Sequence, residues 1–221
     1  MYMNFYTHLK HVYQKLYYNK NRRFYICSYG GCGSTILTNY LSQFGNVYHI
    51  HSRVPPTNLC FIGSVNTDNP TYREWFNDVE IPTDELHNYT VIFIYKNPIN
   101  AIYSRFVNKK GKNNHLTHVQ VNPHIKLTDV LHFQKDLYGI EEFFDNYTQP
   151  STRNYKIYCV KYEDFWDNLE EFNSVMNIPN NPRLYPIKKE CNRNYEHVRE
   201  LTSIYESLIH KMKKMKFIEI V

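Results

Sequence analysis

Two hydrophobic rhythms take turns along this chain. Short continuous apolar runs read as strands: Phe24-Tyr25-Ile26-Cys27, Tyr89-Thr90-Val91-Ile92-Phe93-Ile94-Tyr95 and Tyr155-Lys156-Ile157-Tyr158-Cys159-Val160-Lys161. A fourth segment, Asn46-Val47-Tyr48-His49-Ile50-His51, alternates apolar and polar as a strand does. The Tyr89–Tyr95 run is apolar on both parities, the signature of a central parallel strand covered on both faces. Between the runs, apolar residues recur at helical spacing. They predict helices over 5–18 (Leu9, Val12 and Leu16 in one stripe), Ile36–Leu41, Ile99–Phe106 and 127–147 (Leu131, Leu137, Ile140, Phe143 and Phe144 inward). A short helix is expected at Tyr72–Phe76, another after Phe165, and a long one from Tyr195 to about Met215. Residues 53–70, rich in Pro and Asn, and the histidine-rich polar stretch 108–125 read as irregular excursions.

Strands alternating with helices predict an α/β fold: a central parallel sheet flanked by helices, one domain over residues 1–221. Ligands of such sheets bind beyond the carboxyl ends of the strands. Three strand-to-helix junctions fall there: 28–35, 96–104 and 161–164.

The first junction is Ser28-Tyr29-Gly30-Gly31-Cys32-Gly33-Ser34-Thr35, which holds three of the chain's seven glycines. Glycine lets a backbone turn tightly and approach an anion with no Cβ in the way. The first N–H groups of the following helix lack intrahelical partners and point at such an anion, with the helix dipole adding to the field. Ser34 and Thr35 are candidates to cap the helix and to donate hydroxyls. A Walker A loop ends in Gly-Lys-Ser/Thr, whereas here Gly33 runs directly into Ser34, which argues against an ordinary ATP or GTP phosphotransferase. A glycine-rich surface turn without ligand is the plain alternative.

Composition adjusts this picture modestly. The 21 tyrosines and 13 phenylalanines accompany abundant Asn, Lys and Ile and a single alanine, Ala101, as in AT-rich genomes, so a tyrosine cluster is no argument for base stacking. A formal charge of +5, spread along the chain, suits a small anionic ligand and is too weak to imply nucleic acid. The basic end, Lys211-Met212-Lys213-Lys214-Met215-Lys216, reads as a solvated helix terminus rather than a membrane patch. Five scattered cysteines (Cys27, Cys32, Cys60, Cys159 and Cys191) offer no CxxC pair, so neither a zinc site nor a disulfide framework is expected. Charges at Lys10, Lys15, Lys20, Arg22 and Arg23 interrupt the N-terminus, which predicts no signal peptide or membrane anchor and a cytoplasmic location.

Together the three junctions resemble the sulfotransferase family, whose P-loop-like α/β members move a sulfuryl group from 3′-phosphoadenylyl sulfate (PAPS) to an acceptor hydroxyl or amine. The resemblance covers most of the chain, with its specific motifs in three short blocks. Ser28–Leu37 is similar to the family's 5′-phosphosulfate loop, which implies nucleotide contacts from Gly30, Gly31, Cys32, Gly33, Ser34 and Thr35. Val91–Phe106 is similar to its 3′-phosphate block, an Arg-Asp/Asn-Pro followed by a serine eight residues after the arginine; Lys96, Pro98 and Ser104 hold that spacing. Lysine there supplies charge without arginine's bidentate fork. Val160-Lys161-Tyr162-Glu163-Asp164-Phe165 is similar to the motif whose tyrosine lies near the adenine, which implicates Tyr162; a packing role is the alternative. The resemblance implies PAPS as donor, adenosine 3′,5′-bisphosphate (PAP) as product and no metal. It leaves open the acceptor and the oligomeric state, with the 53–76 and 107–126 segments as the expected acceptor side and a glycan as one polar candidate.

Two departures concern catalysis. The family carries lysine or arginine two positions before the loop's last glycine, where it stabilises the leaving phosphate; here that position is Gly31. Arg53, Arg22 or Arg23 are candidates to replace it, and backbone N–H groups are the alternative. No motif fixes the general base. His51 leads, at the end of its strand, followed by His115 and His118 in the polar loop. The family's C-terminal basic and glycine segment is not recognisable, and Lys188, Lys189 and Arg193 fall about where a substitute would lie. The rival functions are a PAPS- or PAP-binding homologue without catalysis and a P-loop small-molecule kinase.

Overall fold

The computed structural model describes residues 17–62, 72–73, 75–107, 116, 119, 121–188 and 195–221. Most of the 5–18 helix therefore lies outside the described residues, as do His115, His118, Lys189, Cys191 and Arg193.

Six strands form the main sheet, in the order β4-β2-β1-β6-β7-β8. They are β1 (Arg23–Cys27), β2 (Asn46–Ile50), β4 (Tyr72–Arg73), β6 (Tyr89–Tyr95), β7 (Ile157–Lys161) and β8 (Ile218–Ile220). The first five pair in parallel, and β8 closes one edge antiparallel to β7, with Val160 opposite Ile218. A separate antiparallel pair joins β3 (Cys60–Ile62) to β5 (Trp75–Glu80).

The period of two in each central strand divides the core into two layers. Tyr25, Cys27, Val91, Phe93, Tyr95, Ile157 and Cys159 face one layer. Phe24, Ile26, Ile92, Ile94 and Val160 face the other. Helix α1 (Ser34–Leu41) and helix α5 (Leu169–Val175) cover the second layer with Leu37, Tyr40, Leu41, Leu169 and Phe172. The first layer is covered by α2 (Pro98–Ile102), α4 (Ile140–Thr148), α6 (Val198–Ile204) and α7 (Glu206–Lys214), through Ile99, Ile102, Phe143, Tyr147, Leu201 and Leu208. The expected α/β architecture, a mainly parallel sheet between helices, is what the chain forms.

The details differ from the periodicity in four places. Where a helix is expected at Tyr72–Phe76, the described residues form strands, because Tyr72 and Arg73 pair with His49 and Ile50 while Trp75–Glu80 pairs with the 60–62 segment. Residues 127–147 hold two helices, α3 (Leu127–Phe133) and α4, separated by left-handed Gln134 and Gly139. Asp136 fixes that break by accepting the Glu141 N–H at 2.8 Å. The terminal helix is likewise split, at Tyr205, whose hydroxyl donates to Asp136 at 2.7 Å. Strand β8, three residues long, had no counterpart in the pattern. Of the basic end, Lys211 pairs with Glu141 and Asp145 of α4, and the rest closes α7 as a helix terminus.

The sheet order sets where a ligand can sit. From β1 the chain crosses through α1 to β2 on one side, whereas β1's other neighbour, β6, feeds α2 on the opposite face. Connections leaving adjacent strands for opposite faces open a crevice at the strands' carboxyl ends, the topological switch point. Among the described residues no helix is long and apolar enough to cross a membrane.

Candidate functional site

Ser28–Gly33 leaves β1 at that crevice. Gly30, Gly31 and Gly33 adopt φ of 111°, 71° and 87°, a region L side chains rarely enter. Gly33 is the N-cap of α1, and no side chain caps the helix. The expected Ser34 and Thr35 caps therefore do not form: Ser34 is buried in the first turn and Thr35 is exposed. With no acidic residue in that turn, the helix's first N–H groups and positive dipole end are left without a side-chain acceptor among the described residues.

The loop's glycines are also places of close approach. A Cβ at Gly31 would stand 2.8 Å from the Ala101 carbonyl oxygen, 3.2 Å from Ser104 Cβ and 3.4 Å from Arg105 Cβ. One at Gly33 would stand 2.0 Å from Cε2 of Tyr162. The three junctions thus pack on one another, the first touching the second through Gly31 and the third through Gly33.

Lys96 joins them from the end of β6. Its ammonium lies 4.4 Å from the Tyr162 ring centroid, within cation–π range. The Lys96 backbone meets the Cys32 sulfur, whose proton is shared with the Gly30 carbonyl at 3.3 Å. Burial pushes the Cys32 thiol up to about 12 despite the Lys96 charge, so it packs as a neutral group. Tyr162 makes an edge contact with Trp166 at 5.0 Å, and its N–H extends the β6–β7 ladder to the Tyr95 carbonyl.

The second junction starts at Asn97, whose side chain accepts the Ile99 N–H at 3.0 Å with Pro98 in the first turn. Glu163 binds the Asn97 N–H at 2.9 Å and so ties the Lys96 junction to the Tyr162 junction. After Ile102 the helix widens into a π-turn, Tyr103–Val107, which carries Ser104 and Arg105. Such turns are frequent at functional sites.

Two histidines stand behind the loop. His51 is buried, and its Nδ1 lies 2.6 Å from the Ser28 carbonyl. A carbonyl only accepts, so Nδ1 carries the proton and Nε2 is the basic nitrogen. The His49 ring lies 4.2 Å from that of His51, with Nε2 3.3 Å from Ser28 Oγ. Burial first, and the Arg105 charge second, lower His49 to about 4, so it is neutral at pH 7.

The three arginines expected near the loop are engaged elsewhere. Arg22 donates to the Met176 and Asn177 carbonyls. Arg23 lies over Tyr89, with both residues at the amino end of the sheet. Arg53 forms a forked ion pair with Glu142 of α4. The arginine whose Cβ packs on the loop is instead Arg105, which sequence reasoning passed over. A regular helix turns about 100° per residue, so Ser104's neighbour reads as belonging to another face. The π-turn that brings both to Gly31 leaves no periodic signal.

Beside the same strand ends lies a cavity of about 170 Å³, lined by Tyr95, Asn97, Lys161, Glu163, Ile209, Met212 and Lys213. The buried hydroxyl of Tyr95 has no hydrogen-bond partner among the described residues. Among the described residues no three His, Cys, Asp or Glu side chains are grouped to hold a metal ion. Comparison with family models, with curated proteins and with solved structures found no match to this chain.

Proposed function

We propose that the crevice binds PAPS and that the protein transfers its sulfuryl group to an acceptor hydroxyl or amine, as the sulfotransferase resemblance implies. The observation that carries this reading is the packing of the three resembling blocks on one another, Gly31 on Ser104 and Gly33 on Tyr162, at the switch point of a parallel sheet. In this reading the uncapped first turn of α1 receives the 5′-phosphosulfate, Lys96 and Ser104 take the 3′-phosphate, and Tyr162 lies by the base. His51 Nε2 accepts the acceptor's proton.

Titration with PAP by calorimetry tests the binding half. Saturable binding is expected, and binding of ATP with magnesium in place of PAP would favour the kinase reading. A charge-assisted phosphate contact contributes roughly 1.5–3 kcal/mol. Lys96→Ala should therefore weaken PAP binding about tenfold or more, and Ser104→Ala by a smaller factor. Unchanged affinity in both variants would remove the 3′-phosphate assignment.

One observation favours a second reading, a homologue that binds the nucleotide without turning it over. Any side chain at Gly31 would meet the Ala101 carbonyl at left-handed φ, so a lysine at the loop position where the resembled family carries its cation would force the loop or α2 to shift. Turnover of labelled PAPS with a panel of acceptors separates the two.

A further inference from the structure

Resting on that reading, we infer that Arg105 supplies from the π-turn the cation that the glycine loop lacks, its guanidinium holding the 5′-phosphosulfate and the phosphate that leaves. Arg105 is placed for this by the same contact that bars a side chain at Gly31. Its Cβ lies 3.4 Å from where a Gly31 Cβ would stand, so the base of its side chain packs on the glycine loop.

Its surroundings are unusual for an arginine. The residue is half-buried, and its Nε is buried without a hydrogen-bond partner among the described residues. Among the described residues no carboxylate pairs with it. The groups that sense its charge are Tyr29 and His49. Tyr29 donates its hydroxyl proton to the Tyr138 carbonyl, and its ionisation is pushed far up by burial; His49 is neutral at pH 7. Arg22, Arg53 and Arg153, by contrast, all have carbonyl or carboxylate partners.

A guanidinium does not shed its proton in proteins, so withdrawing part of it from water without a counter-charge works against the fold unless an anion completes the site. The forked N–H geometry matches the oxygens of a phosphate or sulfate ester. In the transfer, the acceptor oxygen forms a bond to sulfur while the bond from sulfur to the bridging oxygen breaks. The bridging oxygen keeps the electron pair and becomes the 5′-phosphate oxygen of PAP, and the acceptor's proton passes to His51 Nε2. Negative charge grows on the bridging oxygen, where a preformed cation acts most strongly.

The test compares two ligands that differ only at the 5′ end, PAP and adenosine 3′-monophosphate, on wild type, Arg105→Met and Arg105→Lys. Wild type should prefer PAP. Arg105→Met should lose at least about tenfold in PAP affinity with adenosine 3′-monophosphate affinity unchanged, and about 100-fold in turnover, with Arg105→Lys in between. Removing a half-buried charge that no carboxylate offsets should leave the unliganded Arg105→Met protein melting at or above wild type. If wild type binds neither nucleotide, the PAPS reading itself fails. If wild type binds PAP but Arg105→Met loses both ligands equally, loses neither, or melts lower with Arg105→Lys rescuing only the melting temperature, Arg105 is structural and the inference is overturned.

Discussion

Gly33→Ala should cost the protein about 2–3 kcal/mol of stability and most of its nucleotide affinity. Two effects add. At φ 87° an alanine pays the left-handed penalty, roughly 1 kcal/mol. Its Cβ would also overlap the Tyr162 ring, 2.0 and 2.2 Å from two ring carbons. The ring has little freedom to retreat, with Lys96 over its face and Trp166 at its edge, and Trp166 is itself held by an indole bond to the Pro186 carbonyl at 3.2 Å. Relief must come from displacing either the ring or the start of α1, and in the proposed site both touch the nucleotide. At about 2–4 °C per kcal/mol for a chain of this size, the melting temperature should fall by roughly 5–10 °C. The double variant Gly33→Ala/Tyr162→Ala separates the two effects: truncating the ring removes the clash and leaves only the backbone penalty, so the pair should be coupled rather than additive. A Gly33→Ala protein that melts and binds PAP like wild type would show that the close approach of ring and loop is not part of the folded state.

The contact also marks what could be read in the sequence and what could not. The buried strands were legible because Phe24–Cys27, Tyr89–Tyr95 and Ile157–Lys161 are apolar on both parities, and burial on both faces demands just that. The glycine cluster was legible as a tight loop. What the loop touches was not, since Gly31 meeting Ala101 and Gly33 meeting Tyr162 depend on sheet order and helix placement. The helix expected at Tyr72–Phe76 was a misreading because the strands there answer to partners at 49–50 and 60–62 rather than to a pattern of their own. Arg53 looked available beside His51 because an ion pair with Glu142, 89 positions away, leaves no mark on either neighbourhood in the chain. Arg105 was invisible for another reason: its place against Gly31 is written by a π-turn, which leaves no periodic signal. Local rules find a tight glycine loop, and only the tertiary structure shows which residues pack on it.

Acidification should test the electrostatics of that crevice without any ligand. His49 has an ordinary value of 6.5 and is lowered to about 4 in the folded protein, first by burial and then by the Arg105 charge. The fold therefore prefers the neutral ring, and between about pH 6.5 and pH 4 the unfolded chain binds more protons than the native one. Stability must then rise with pH across this window and be lost as pH falls through it, by up to 1.4 kcal/mol per unit for one proton. Because the ring is only partly buried by surface area, the total contribution is at most about 3 kcal/mol. Below about pH 4 both states are protonated and this contribution to the slope vanishes. Urea midpoints at pH 7 and pH 4.5 for wild type and His49→Gln isolate it from the other titrating groups, since a glutamine cannot charge. Wild type should lose more stability than the variant over that interval, by 1–3 kcal/mol in order of magnitude. The added substitution Arg105→Met should shrink the wild-type loss, because it removes the second of the two causes while leaving the first. Parallel pH profiles for wild type and His49→Gln would mean that His49 takes up its proton in the native protein as readily as in the unfolded chain, and that neither burial nor the Arg105 charge holds it neutral.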